Sequence, residues 1–159
     1  MSKNTKSIEN LQQALSMELT AVHQYLMHAH VLDDWGLDRL AAKMREEMQE
    51  ELGHAGAFID RILFLKGEPR IEAGKTPRRA KSLEDMFKAD LAEEQGAIAF
   101  YTEAAEAAAK ESDIGTRTLF EHTLLDEEGH SAWLELQLDL LERMGQGAYI
   151  SKHMSAPGD

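Results

Sequence analysis

Two short stretches carry the residue types that hold multivalent cations: Glu51-Leu52-Gly53-His54 and Glu127-Glu128-Gly129-His130. Residues three apart lie on one face of a helix, so a carboxylate and an imidazole spaced this way can approach a single ion together. Acidic helices produce one such pair by chance. Here the pair occurs twice, and a shift of 76 residues carries Glu51 onto Glu127, His54 onto His130, Glu18 onto Glu94 and Tyr25 onto Tyr101. Glu18 sits among Leu15, Leu19, Ala21 and Val22, and an unpaired carboxylate facing a bundle interior is costly. The six residues Glu18, Glu51, His54, Glu94, Glu127 and His130 therefore make a ligand set for two metal ions, which would neutralise that inward charge.

Four carboxylates and two imidazoles suit iron or manganese, and affinity order alone does not exclude zinc or copper. Iron is the expected metal. Carboxylates bridge ions and shift binding mode, and their charge favours ferric over ferrous iron, so dioxygen can take electrons from the pair. Glu51 and Glu127 are the expected bridges, with each histidine terminal.

The elements that position these residues read as helices. From Ser7 to about Trp35 the residues Ile8, Leu11, Leu15, Leu19, Val22, Leu26 and Ala29 recur at steps of three and four, the period of an amphipathic helix. Gly36 stops it. A second helix runs from about Asp38 to Lys66, with Gly67 placed as a C-terminal glycine, and the pair forms an antiparallel hairpin. A third starts after Ser82, a cap with Glu84 and Asp85 at the positive end of the dipole, and runs to about Lys110. A fourth spans about 114–144, and a short fifth about 146–153. The final SAPGD reads as a frayed end.

Residues 67–81 hold two prolines and two glycines without helical period and read as a long connection. A 28-residue helix is ~42 Å long, and 15 extended residues reach ~50 Å. The connection can therefore cross the whole bundle, permitting parallel second and third helices; up-down-up-down topology also fits the lengths.

Composition bounds the rest. With 159 residues and 43% apolar residues the chain can bury the core of one domain, and its helix formers favour an all-α fold. A net charge of -12 argues against nucleic acid as a partner, since phosphate contacts need clustered basic residues. Cysteine is absent, which leaves no thiolate zinc site and no iron-sulfur cluster on the usual ligands. No apolar run approaches the ~20 residues of a membrane span, so the expected location is the cytoplasm.

The six ligands, Tyr25 in AVHQYLMHAH, the WGLDRLA turn, RILFLKGEP and DEEGHSAWLELQLDLLERMG together resemble the bacterioferritins over essentially residues 1–150. The resemblance implies that residues 1–159 form a single ferritin-like domain, an all-α four-helix bundle with the long crossover and a short C-terminal fifth helix. It implies iron storage and detoxification: two iron ions per subunit, ferroxidase oxidation by dioxygen or peroxide, and ferric mineral deposited in a homo-oligomeric shell of twenty-four subunits, with a ferredoxin-type reductant for release.

Two departures stand out. In that family a methionine between the Glu and His of the first motif ligates a haem shared by two subunits; here the position is Leu52, which has no donor atom, and Met48 one turn earlier would have to displace the haem to substitute. Haem b is therefore not expected from this chain alone, and a shell mixed with a haem-ligating paralogous subunit is consistent with that. Glu46 and Glu50 stand where the family can have a histidine and an aspartate serving an additional inner-surface iron, and both retain oxygen ligands. Tyr25 and Trp133 are candidate auxiliary electron donors, against simple core packing. His23, His28, His30, His122 and His153 are expected mostly at surfaces or interfaces.

Other di-metal bundles compete with this reading. A rubrerythrin-like peroxidase usually adds a Cys-rich module, absent here; a manganese catalase shares the ligand types; a DNA-protecting mini-ferritin places its ligands across a subunit interface. A non-catalytic helical scaffold with incidental Glu-x-x-His pairs is the alternative from a different class. Aerobic oxidation of added ferrous iron separates them.

Overall fold

Helix α1 spans Thr5–Asp34, α2 Asp38–Phe64, α3 Leu83–Lys110, α4 Ile114–Met144 and the short α5 Gln146–Lys152; the computed structural model describes residues 4–155. Each long helix turns one stripe inward. On α1 that stripe is Leu11, Ala14, Leu15, Glu18, Tyr25, Ala29 and Leu32; on α2 it is Leu40, Met44, Glu47, Glu51, Ala55, Phe58 and Ile62. The sequence period places Leu26 in the first stripe, but its side chain is 45% exposed, because the inward face passes from Glu18 through Tyr25 instead.

α1 packs along α2 and α3 along α4, and the two hairpins meet through α1 and α3. The connection from Leu65 to Ser82 settles their order. Gln12 exchanges two hydrogen bonds with the backbone of Arg70, Thr20 accepts one from the Gly74 amide, and Gln24 exchanges two with the backbone of Arg78. These anchors advance along α1 in its own direction, so the connection crosses the length of the bundle and α3 starts beside the end of α1. Helices α2 and α3 are therefore parallel, the ferritin-like arrangement.

The apolar interior falls into two clusters. One holds Ala29, Leu32, Leu40, Met44, Phe87, Leu134 and Tyr149; the other holds Leu11, Leu15, Phe58, Ile62, Tyr101 and Phe120. Full burial of such side chains contributes about 1.5–3 kcal/mol each. Between them lies a polar layer built from Glu18, Glu51, Glu94, Glu127 and His130, all buried. Helix α5 covers one end: Tyr149 is buried, packs edge-on to Phe87 and donates to Gln137 at 2.7 Å.

Chain reversals use left-handed residues. Gly36 (φ 82) ends α1, and Ser112 (φ 59) occupies the equivalent position after α3. At the end of α2 the left-handed residue is Lys66 (φ 66), not Gly67; the helix stops at Phe64, and the Gly67 amide returns to Ile62 O at 2.9 Å. Gly67 is required for a different reason, since a Cβ there would lie 3.0 Å from methyl carbons of both Ile62 and Ile8. At the other terminus, Ser155 is tied to Asp38 through its amide at 2.7 Å; residues 156–159 of the expected frayed end lie outside the described residues.

Candidate metal centre

One turn from each long helix meets in the polar layer. Glu18 and Glu94 come from α1 and α3, while Glu51 with His54 and Glu127 with His130 come from the i, i+3 faces of α2 and α4. The structure thus brings all six sequence-identified residues together. Two groups of donor atoms close to within 4.8 Å of one another: Glu18, Glu51, His54 and Glu127 in one, and Glu51, Glu94, Glu127 and His130 in the other. Glu51 and Glu127 belong to both.

In each imidazole Nδ1 faces the layer. His54 Nδ1 lies 3.2 Å from Glu127, 3.5 Å from Glu18 and 3.8 Å from Glu51. His130 Nδ1 lies 3.2 Å from both Glu51 and Glu127 and 3.7 Å from Glu94. Buried polar atoms in proteins almost always have a hydrogen-bond partner, yet Glu18 Oε2, Glu51 Oε1, Glu127 Oε1 and His54 Nδ1 have none. They belong to the four residues of the first donor group. A cation would satisfy all of them at once, and the mixed O and N donor set fits iron.

The electrostatics describe how the layer exists when no cation neutralises it. Burial, reinforced by the neighbouring Glu18, pushes the Glu51 carboxyl well above its ordinary range. Burial likewise drives Glu94 up to about 9, with Glu127 adding to the shift. Burial opposes charge on His54, but the carboxylates of Glu127 and Glu18 close to its ring outweigh it and raise the imidazole to about 11. His130 is raised in the same manner against burial, chiefly by Glu127 and Glu47. Protons therefore carry the compensation that metal ions would otherwise supply.

Two phenols frame the layer. Tyr25 donates to Glu94 at 2.8 Å, and Tyr101 donates to Glu18. Burial and the adjacent carboxylates hold both phenols well above their usual range, so they stay donors. Tyr101 was visible in the sequence only as the repeat of Tyr25. Trp133 packs edge-on to Phe87 with Lys43 over its ring.

A family model for the ferritin-like domain matches residues 8–144. A bacterioferritin of Brucella melitensis biotype 1 is 42% identical over 159 residues, which is 100% of this chain and 98% of that protein. The chain belongs to the bacterioferritin family. Among solved structures, a Rhodobacter capsulatus bacterioferritin matches with a TM-score of 0.95 at 38% identity, covering 100% of this chain and 99% of that one. That structure is described with a metal-free dinuclear site and a haem iron in a crystallographic special position. A bacterioferritin of Mycobacterium tuberculosis gives a TM-score of 0.94 at 33% identity, covering 99% of both chains.

The residues at the turn that resembles the family's haem position do not fit a haem iron. Leu52 is 47% exposed and has no donor atom. Met48, one turn earlier, packs against the apolar cluster around Met44, so its sulfur would have to leave the core to bind anything outside. The Glu46 and Glu50 expectation divides. Glu46 is exposed, 3.9 Å from Lys43, and joins none of the groups of three or more close metal-ligating residues among those described; Glu50 joins two, with Glu47 and His130 and with His54 and Asp126.

Sequence reasoning missed Glu47, which is buried at 2.7 Å from His130 Nε2. It also counted His28 in a group of histidines expected mostly at surfaces or interfaces. His23, His30 and His122 are exposed, but His28 is buried and its Nε2 lies 2.8 Å from the equally buried Asp90. The available signal was helical spacing: His28 follows Tyr25 by three, and Asp90 precedes Glu94 by four.

Proposed function

We propose that residues 1–159 act as one ferritin-like domain that oxidises ferrous iron and stores it as ferric mineral inside a cytoplasmic shell built from copies of this chain. The observation that carries this reading is the set of four unpartnered buried donors, Glu18 Oε2, Glu51 Oε1, His54 Nδ1 and Glu127 Oε1, beside the second group closed by Glu94 and His130. Two ferrous ions bound there each give up one electron to dioxygen or peroxide. The protein's part is to hold the pair: Glu18 and His54 on one ion, Glu94 and His130 on the other, with Glu51 and Glu127 shared.

Membership of the bacterioferritin family supports the storage role, and the fit of the donor set supports ferroxidase chemistry. Tyr25 takes an auxiliary part, holding Glu94 through its phenol and standing within electron-transfer reach of the layer. Because neither Leu52 nor Met48 supplies a ligand, any haem in the shell comes with a second, haem-ligating type of subunit. A ferredoxin-type protein serves as the reductant for release.

Adding ferrous iron aerobically to the assembled protein tests the chemistry. Stoichiometric oxidation is expected, with loss in Glu51→Ala and in His130→Ala. Unchanged oxidation in both variants would remove the assignment. Mass by size-exclusion chromatography with light scattering tests storage, because a monomer or small oligomer cannot enclose a mineral.

A further inference from the structure

Both ligating imidazoles have a second nitrogen, and in both it is held by a carboxylate of the opposite hairpin. His130 Nε2, on α4, lies 2.9 Å from Glu50 Oε2 on α2; His54 Nε2, on α2, lies 2.9 Å from Asp126 Oδ2 on α4. The 76-residue shift that relates the metal ligands also carries Glu50 onto Asp126. The two contacts are therefore one device used twice, crossing the pseudo-twofold axis in both directions.

We infer that Glu50 and Asp126 are positioning residues: each accepts a hydrogen bond from the outer nitrogen of one imidazole and so presents Nδ1 to the metal. This inference rests on the two-metal reading above. A neutral imidazole has one N–H and one lone pair. Donation of Nε2–H to a carboxylate leaves the lone pair on Nδ1, which in both rings faces the buried layer. Carboxylates behind metal-bound histidines fix the tautomer and the ring orientation in this way. The assignment gives Glu50 a different job from an ion-binding partnership with Glu46.

Glu50 and Asp126 are both exposed, with side-chain accessibilities of 43% and 50%. Neither contributes to the apolar core, so a loss on their removal reports on the imidazoles and not on folding. The two sides are unequal. His130 has Glu47 as well, 2.7 Å from Nε2, although that oxygen makes no aligned hydrogen bond. The shift carries Glu47 onto Thr123, whose hydroxyl is spent on Leu119 O at 2.9 Å. Among the described residues Asp126 is the carboxylate hydrogen-bonded to His54 Nε2, with Glu50 near but already engaged on His130, while His130 has a substitute within bonding distance in Glu47.

The test is an anaerobic titration of the metal-free assembled protein with cobalt(II), read by its visible ligand-field absorption, which follows coordination without turnover. Asp126→Ala is expected to weaken one of the two cobalt ions about ten- to a hundred-fold. Glu50→Ala should weaken the other by less, and Glu47→Ala with Glu50→Ala together should match the Asp126→Ala loss. Asp126→Asn keeps an acceptor for the Nε2 proton and should recover most of the affinity and the parent spectrum. Thermal unfolding within a few degrees of the parent shows that the variants fold.

Asp126→Ala with unchanged affinity and spectrum would overturn the inference, and so would a loss that Asp126→Asn does not recover, since charge alone would then be responsible. Neither result touches the two-metal reading. That reading fails separately if the parent protein binds no cobalt or if His54→Ala binds it equally well.

Discussion

The phenol of Tyr25 donates to Glu94 across the interface between the hairpins, at 2.8 Å, and the repeat places Tyr101 on Glu18 in the mirrored sense. Each tyrosine thus belongs to one apolar cluster and bonds a ligand carried by the other hairpin. The phenols limit the freedom of Glu18 and Glu94 without neutralising them. Tyr25→Phe and Tyr101→Phe each leave a buried carboxyl with one donor fewer, a loss of about 1–3 kcal/mol. At roughly 2–4 °C per kcal/mol for a chain of this size, melting of the metal-free variants should fall measurably. A parent-like melting temperature in both would show that these bonds contribute nothing.

The proton content of the layer leads to a second expectation. Glu94, at about 9, and His54, at about 11, carry protons at pH 7, and Glu51 is also raised. Ligation requires ionised carboxylates and a free Nδ1, so metal binding must expel protons. Affinity should therefore climb as pH rises through 6–8, by more than the tenfold per pH unit that one proton allows. Calorimetry in two buffers of different ionisation enthalpy measures the release directly, and identical heats in both would contradict it.

How much of this was legible beforehand depended on identity within the repeat. The six ligands could be read because both motifs keep the same residue types; the length of the connection only permitted the crossover, which the family resemblance implied and the anchors of Gln12, Thr20 and Gln24 along α1 decided. The Glu50 and Asp126 pairing stayed hidden: the repeat changes residue type there, conserving charge but not identity. His28 and Asp90 were hidden for a stronger reason. The shift carries His28 onto Ala104, and Asp90 is the repeat of Ala14, so the pair breaks the symmetry that exposed the rest. At Gly67, composition marked a helix end correctly but not which residue is left-handed: Lys66 takes that conformation, while Gly67 is needed for its close approach to Ile62 and Ile8.

Stability of the metal-free protein should depend on pH in a direction that these shifts specify. A carboxyl such as Glu94, raised from 4.5 to about 9, stabilises the fold fully below 4.5 and loses that contribution as pH rises through 9. The raised His54 contributes fully below 6.5 and loses its contribution through about 11. Both decline between pH 6 and 9. On the acid side the depressed carboxyls of Glu47 and Asp113 act oppositely: their contribution is present above the ordinary carboxylate range and is lost as pH falls. Melting of the metal-free protein should decrease from pH 6 to pH 9, and bound metal should flatten the trend. A rising melting temperature over that interval would refute the protonation pattern.

The repeat also identifies a position where the chain carries strain. Gly36 and Ser112 are 76 residues apart and close equivalent turns, both left-handed, at φ 82 and φ 59. In each turn the next amide returns to the helix, Leu37 to Leu32 O and Asp113 to Ala108 O, both at 2.9 Å. A residue with a Cβ adopts this conformation at a cost of about 1–2 kcal/mol, while glycine adopts it freely and loses more backbone entropy on folding. Ser112→Gly should therefore stabilise the protein by about 1 kcal/mol, raising its melting temperature by roughly 2–4 °C, and Gly36→Ser should lower it. Lys66→Gly at the end of α2 should act in the same direction as Ser112→Gly. Neither glycine variant touches a metal ligand, so cobalt affinity should stay at the parent value while melting rises. A drop in melting temperature in Ser112→Gly would mean that its side chain contributes more to the turn than the backbone strain costs.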